Sequence, residues 1–192
     1  MSDPSRITSR RDILLLLLYS PGTGKLPNEP ISGRTRLVKM LFLFKQEILV
    51  EFCEGAEFNK KEFYEFYPWD FGPFSRDVYD DIAFFQLRGF IQSDPADEES
   101  LPESVAEWEK WRDETEIEHD FSVFEEQTFQ LTDKGAAFTA RMFERLSSGQ
   151  QNLLKLFKAR LVKAPLRGIL RYVYKSYPEQ TSASIIKQDV LP

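Results

Sequence analysis

The sequence predicts an α+β fold, predominantly helical, with a small antiparallel wing and a set of C-terminal helices. Three observations carry this. Apolar residues recur three and four apart over most of the chain. Two short strand-like runs, Phe90-Ile91-Gln92 and Thr128-Phe129-Gln130-Leu131, bracket a strongly acidic stretch. The composition is 42% hydrophobic and 14% aromatic, with 17 phenylalanines, enough to fill one core in a chain of 192 residues.

The elements follow in order. Ser9 with Asp12 three residues on has the spacing of a capping box, and opens a helix to about Tyr19. Ile13 to Leu18 are all apolar, so this helix is central rather than amphipathic. Arg10 and Arg11 ahead of it imitate a secretion signal. No small-residue cleavage site follows, and Tyr19-Ser20-Pro21-Gly22 reads as a helix end and turn. Ser20 to Gly33 is a loop. Its Gly22-Thr23-Gly24-Lys25 lacks the earlier glycine and the following Ser/Thr of a phosphate-binding loop, because Tyr19 and Leu26 stand there.

Arg34 to about Cys53 is predicted as one helix, with Leu37, Met40, Leu41, Phe44, Ile48 and Phe52 as its buried stripe and Arg34, Thr35, Lys39, Lys45 and Gln46 off it or at its edge. Glu62 to Tyr67 alternates as a strand. Pro68-Trp69-Asp70-Phe71-Gly72-Pro73-Phe74 is a rigid aromatic turn, after which Ser75 caps a helix from Arg76 to about Leu87, ended by Gly89. Glu103 to Arg112 has the character of a short helix bearing Trp108 and Trp111. Thr132 caps a helix to about Leu146, with Ala137, Phe138, Met142, Phe143 and Leu146 apolar. Ser147 or Ser148 caps another to about Lys163. Pro165 begins a last one, with Leu166, Ile169, Leu170, Val173 and Tyr174 on one face, ended by Tyr177-Pro178. The polar tail from Glu179 is expected to be loosely ordered.

Charge and cysteine content exclude several functions. The net charge of -6 argues against bulk affinity for nucleic acid. It is unevenly spread: residues 94–126 hold 14 acidic and 2 basic side chains, a net of -12, which leaves +6 elsewhere. One cysteine, Cys53, and one histidine, His119, are too few for a disulfide or a structural zinc site. No cofactor or metal is expected, no catalytic constellation is present, and the longest apolar run falls short of a membrane span. The expected location is cytoplasmic.

The join Phe129-Gln130-Leu131-Thr132-Asp133-Lys134-Gly135 is like the last wing strand of winged-helix folds, where Leu-Thr-x-x-Gly enters a helix. Gly33 to Leu43 resembles the Leu-x-Lys-Leu-Leu-Tyr/Phe helix of the Panacea (SocA-like) antitoxin family and of YwgA-like uncharacterised proteins, and Phe66 to Tyr79 resembles their aromatic-x-x-Gly-Pro-x-x-x-x-Val-Tyr motif. The resemblance spans roughly residues 10–146. The resemblance implies a helix-rich domain, bounded here as a winged-helix-like domain over 1–146 with a helical extension over 147–192 packed on it; the acidic insertion at 93–127 and the long leading loop depart from the family pattern. It further implies a protein without enzymatic activity that contacts a toxin or delivers it to a protease.

Two sets of candidate residues result. Trp69, Asp70, Phe71, Gly72, Pro73, Arg76, Tyr79, Trp108 and Trp111 would form or border a surface for a protein partner. Against this, Phe71, Phe74 and Tyr79 can equally serve the core. The alternative is a DNA-binding regulator using Arg34, Arg36, Lys39, Lys158, Arg160, Lys163, Arg167 and Arg171, whose bland reading is a set of solvated helix faces. The expected partner is a toxin-like or regulatory protein, with DNA second. A homodimer is compatible with either.

Overall fold

A computed structural model describes residues 7–54, 58–94 and 127–191. The expected helix at 103–112, with Trp108, Trp111 and His119, lies outside the described residues.

Helix α1 (Arg10–Tyr19) has its capping box: the Ser9 side chain accepts from the Asp12 amide and the Asp12 carboxylate takes the Ser9 amide. Ile13 to Leu18 are all buried, so α1 runs through the centre of the core. β1 (Ile31–Ser32) lies in what the sequence reads as loop. Gly33, at φ 88°, then turns the chain into α2 (Arg34–Leu43).

The long second helix is not continuous. A π-helical turn, Phe44–Ile48, separates α2 from α3 (Leu49–Phe52). The extra residue of the π turn re-phases the helix, so that Leu49 is buried along with Phe44, Ile48 and Phe52. The expected strand at 62–67 is also displaced. A 3-10 turn, Lys60–Glu62, precedes an irregular stretch in which Phe63 and Tyr64 are both buried, unlike the one-sided alternation of a half-exposed strand. Pairing begins only with β2 (Tyr67–Trp69), joined by Asp70-Phe71 to β3 (Gly72–Phe74).

α4 (Arg76–Leu87) follows. Ser75 occupies the N-cap position, but its side chain makes no capping bond and its Oγ is buried without a partner among the described residues. Gly89 ends the helix at φ 66°. β4 (Ile91–Asp94) and β5 (Thr128–Leu131) pair antiparallel around the acidic segment, and β5 also pairs with β1, giving the strand order β1-β5-β4. β5 is thus the central strand of a small three-stranded antiparallel sheet set among the helices.

α5 (Asp133–Glu144) is capped by Thr132, whose Oγ1 accepts from the Gly135 amide. Its buried face differs from expectation. Met142 and, just past the helix end, Leu146 face inward as expected, but Gly135 and Thr139 join them while Ala137 and Phe138 are exposed. The cause is Gly135: a Cβ there would stand 2.1 Å from the Phe90 carbonyl oxygen, so the helix turns its one side-chain-free residue to the strand and the stripe shifts with it.

α6 (Ser148–Lys163) has a Ser147/Gln150 capping box, and α7 (Leu166–Ser176) buries Leu166, Ile169, Leu170, Val173 and Tyr174 as predicted. The tail is packed rather than loose. Thr181, Ile186 and Val190 are buried, and α8 (Lys187–Val190) lies on α7. α+β class, helical dominance and the small antiparallel sheet thus stand as the sequence predicts.

Candidate functional site

The β2–β3 hairpin is the most distinctive surface among the described residues. Its register pairs Tyr67 with Phe74, Pro68 with Pro73, and Trp69 with Gly72. Gly72 takes φ 85°, a conformation that side chains resist, and a Cβ there would stand 3.0 Å from the Tyr174 ring. Proline in both strands removes amide donors and suits only a small, edge-exposed ribbon.

The hairpin is fastened from behind. Buried Lys39 donates to the Pro73 carbonyl at 2.9 Å. The Asp70 carbonyl accepts from the Ile185 amide and from Ser184 Oγ, both at 3.0 Å, and Ser184 Oγ in turn lies 2.6 Å from the Tyr174 hydroxyl. Its outer face is aromatic. Tyr67 and Trp69 are 40% and 41% exposed, although each touches its neighbours. Phe74 links them to Tyr79 through ring centroids 5.4, 6.0 and 4.9 Å apart. Arg34 stands over Tyr79 at 5.2 Å, and exposed Arg76 lies 3.5 Å from Asp80.

The predicted partner set therefore divides. Trp69, Arg76 and Tyr79 reach this face, with Phe71 half-buried. Asp70, Gly72 and Pro73 are buried and shape it. Burial raises the Asp70 pKa, and its Oδ2 has no hydrogen-bond partner among the described residues. Trp108 and Trp111 lie outside the described residues. Sequence reasoning missed Tyr67 by assigning it to the preceding strand; the Tyr-Pro-Trp alternation was the available signal.

The alternative, cationic set also divides. Arg34, Arg160, Lys163, Arg167 and Arg171 reach the surface at least in part. Arg36, Lys39 and Lys158, expected on solvated helix faces, are buried. The reason is common to all three: each serves backbone carbonyls that have no helical partner of their own. Arg36 donates to the Leu161 and Ala164 carbonyls at the end of α6, and Lys158 Nζ donates to the Leu18 carbonyl at the end of α1. A cation there also offsets the negative end of the helix dipole. Burial brings both the Lys39 and the Lys158 amine down to about 7. Donors committed to the interior are not available to phosphates.

α4 is held to α1 by charge. Asp81, 1% exposed, accepts from Arg10 at 3.0 Å and Arg11 at 2.7 Å, and Asp77 also pairs with Arg10. The Gly22-Lys25 turn is filled by the chain's own carboxylate, since Glu29 accepts from Thr23 Oγ1 and the Gly24 amide. An open groove of about 560 Å³ beside β4 and β5 is lined by Asn28, Gln92, Gln130, Thr132, Asp133 and Lys134. Among the described residues there is no cluster of three or more potential metal ligands and no helix long and apolar enough to cross a membrane. In comparisons with known proteins, no family model, curated protein or solved structure matches the chain.

Proposed function

We propose that this chain is a non-enzymatic binding protein, antitoxin-like or adaptor-like, that contacts a protein partner through the outer face of the β2–β3 hairpin. The observation carrying the reading is the pairing of two large, 40%-exposed aromatics with a backbone fastened from beneath by Lys39, Ser184 and Ile185. Tyr, Trp and Arg dominate binding energetics at protein interfaces, and a platform already ordered loses little entropy on association. Strand addition is a poor alternative mode, because Pro68 has no amide to offer a new strand.

The test is capture of the partner from native extract by the tagged chain, followed by affinity measurement with Trp69→Ala and Arg76→Ala. Each substitution should weaken the complex by about 2 kcal/mol, roughly 30-fold, with thermal stability nearly unchanged. Full affinity in both variants would remove this face from the contact.

A second reading, a winged-helix DNA-binding regulator, is favoured by the strand order alone. Its helix α4 carries Asp77, Asp80 and Asp81 against Arg76, an acidic balance on an element that would approach phosphates. Duplex binding at about 50 mM salt that falls steeply as salt rises would promote this reading; none at that salt eliminates it.

A further inference from the structure

Residues 145–178 contain eight Lys and Arg and no Asp or Glu. Lys158 is consumed inside. Lys155, Arg160, Lys163, Arg167, Arg171 and Lys175 are exposed on α6 and α7. Arg167, Arg171 and Lys175 succeed one another at one-turn intervals, about 6 Å apart along the axis. Backbone carbonyls steady the first two: Arg167 donates to Asp189 and Arg171 to Val190.

The face is not only cationic. Leu156 is 60% and Tyr172 47% exposed among these charges. Glu47 joins the two helices, bonding Arg160 at 2.6 Å while the same carboxylate, beside Tyr172, raises the pKa of its hydroxyl. The result is an amphipathic patch, distinct from the aromatic hairpin.

We infer that this α6–α7 face is a docking surface for an acidic polypeptide segment with interleaved apolar or aromatic residues. Charge complementarity sets the sign of the partner. An extended segment repeats every second residue at about 6.8 Å, so alternate carboxylates meet successive cations on α7. Exposed Leu156 favours polypeptide over nucleic acid, since phosphates give an aliphatic side chain nothing to cover.

The probe is a labelled synthetic peptide with the sequence of residues 95–126, which has 13 acidic and 2 basic side chains, a net of -11, and includes Trp108 and Trp111. Its fluorescence anisotropy is followed as the full-length chain is added. Binding should weaken at least about 10-fold in Arg167→Glu/Arg171→Glu, and by about 3-fold in Leu156→Ala. Arg167→Lys/Arg171→Lys should largely retain it, which separates charge from a folding defect. Absence of peptide binding, or binding indifferent to the reversal, overturns the inference. So does a single-stranded oligonucleotide that binds more tightly than the peptide at equal salt and is lost with the same reversal, since that makes the face a phosphate site.

Discussion

Replacing Lys39 with methionine should make the chain more stable at neutral pH and less stable at pH 10, an inversion that few substitutions produce. The folded amine titrates at about 7, against 10.5 for an ordinary lysine, because burial disfavours its charge. At ~1.4 kcal/mol per pKa unit this gap is on the order of 5 kcal/mol, an upper bound because buried charges relax their surroundings. Between pH 7 and 10.5 the unfolded chain holds a proton that the folded chain has released. Unfolding free energy therefore rises with pH across that window and is flat below it. Lys158 behaves in the same way, so the wild type carries two such contributions. Above pH 10, buried Tyr64 and Tyr174, whose hydroxyl pKa values are raised, reverse the trend. Methionine removes the charge penalty but leaves the Pro73 carbonyl without its donor, a loss of about 1–3 kcal/mol. At pH 7 the charge penalty outweighs that loss and the variant gains; at pH 10 less than about 1 kcal/mol of the penalty is left and the lost hydrogen bond decides. Urea unfolding at pH 7, 8, 9 and 10 measures both curves. A difference between variant and wild type that is constant with pH would refute the reasoning.

Other perturbations test other joints. Gly135→Ala would gain about 1 kcal/mol in a free helix, but here its Cβ meets the Phe90 carbonyl at 2.1 Å, so a loss of more than about 3 kcal/mol by denaturant unfolding is expected. Asp81→Asn removes the shared carboxylate between Arg10 and Arg11 and should cost about 3 kcal/mol by thermal unfolding; a change under about 0.5 kcal/mol would show the α1–α4 clamp to be idle. Gly72→Ala meets both a positive φ and the Tyr174 ring, so about 2 kcal/mol should be lost, together with partner affinity, because the hairpin must shift.

Features set by neighbours in sequence were legible. The capping box at Ser9, a serine cap at Ser147 or Ser148, the Thr132 cap, the Gly89 terminus and the α7 stripe all depend on residues within about one helical turn. The errors came where a distant group decides. Lys39 looks like the edge of an amphipathic helix until a carbonyl 34 residues away claims its ammonium. The phase of α5 depends on the Phe90 backbone, far upstream of Gly135 in the chain. The tail reads as polar, yet Ile186 and Val190 find a surface on α7, and Ile185 and Ser184 bond to the Asp70 carbonyl. Half of the aromatic site was legible because Trp and Gly-Pro mark a turn; which rings stay outside was not, since that depends on what closes behind them.

The buried cations alter how charge is counted in this protein. The C-terminal third is strongly basic in sequence, which favours a reading as a nucleic-acid binder. Lys158 nevertheless caps α1, and Arg36, contributed by α2, caps α6. These bonds tie the C-terminal helices to the helices of the N-terminal half. Part of the basic character is thus structural: α1 has no basic residue in its own last turn and takes Lys158 instead, whereas α6 ends in Arg160 and Lys163 and takes Arg36 in addition. Lys39 extends the same device to the hairpin, holding a strand carbonyl where no helix end is involved. The aromatic face then depends on an amine that is only half-protonated near neutrality. An amine donates to a carbonyl whether charged or neutral, so deprotonation keeps the hydrogen bond and removes the desolvation cost. The hairpin should accordingly remain ordered from pH 7 to 10, with Tyr67 and Trp69 presented unchanged, while the stability of the whole chain rises beneath it.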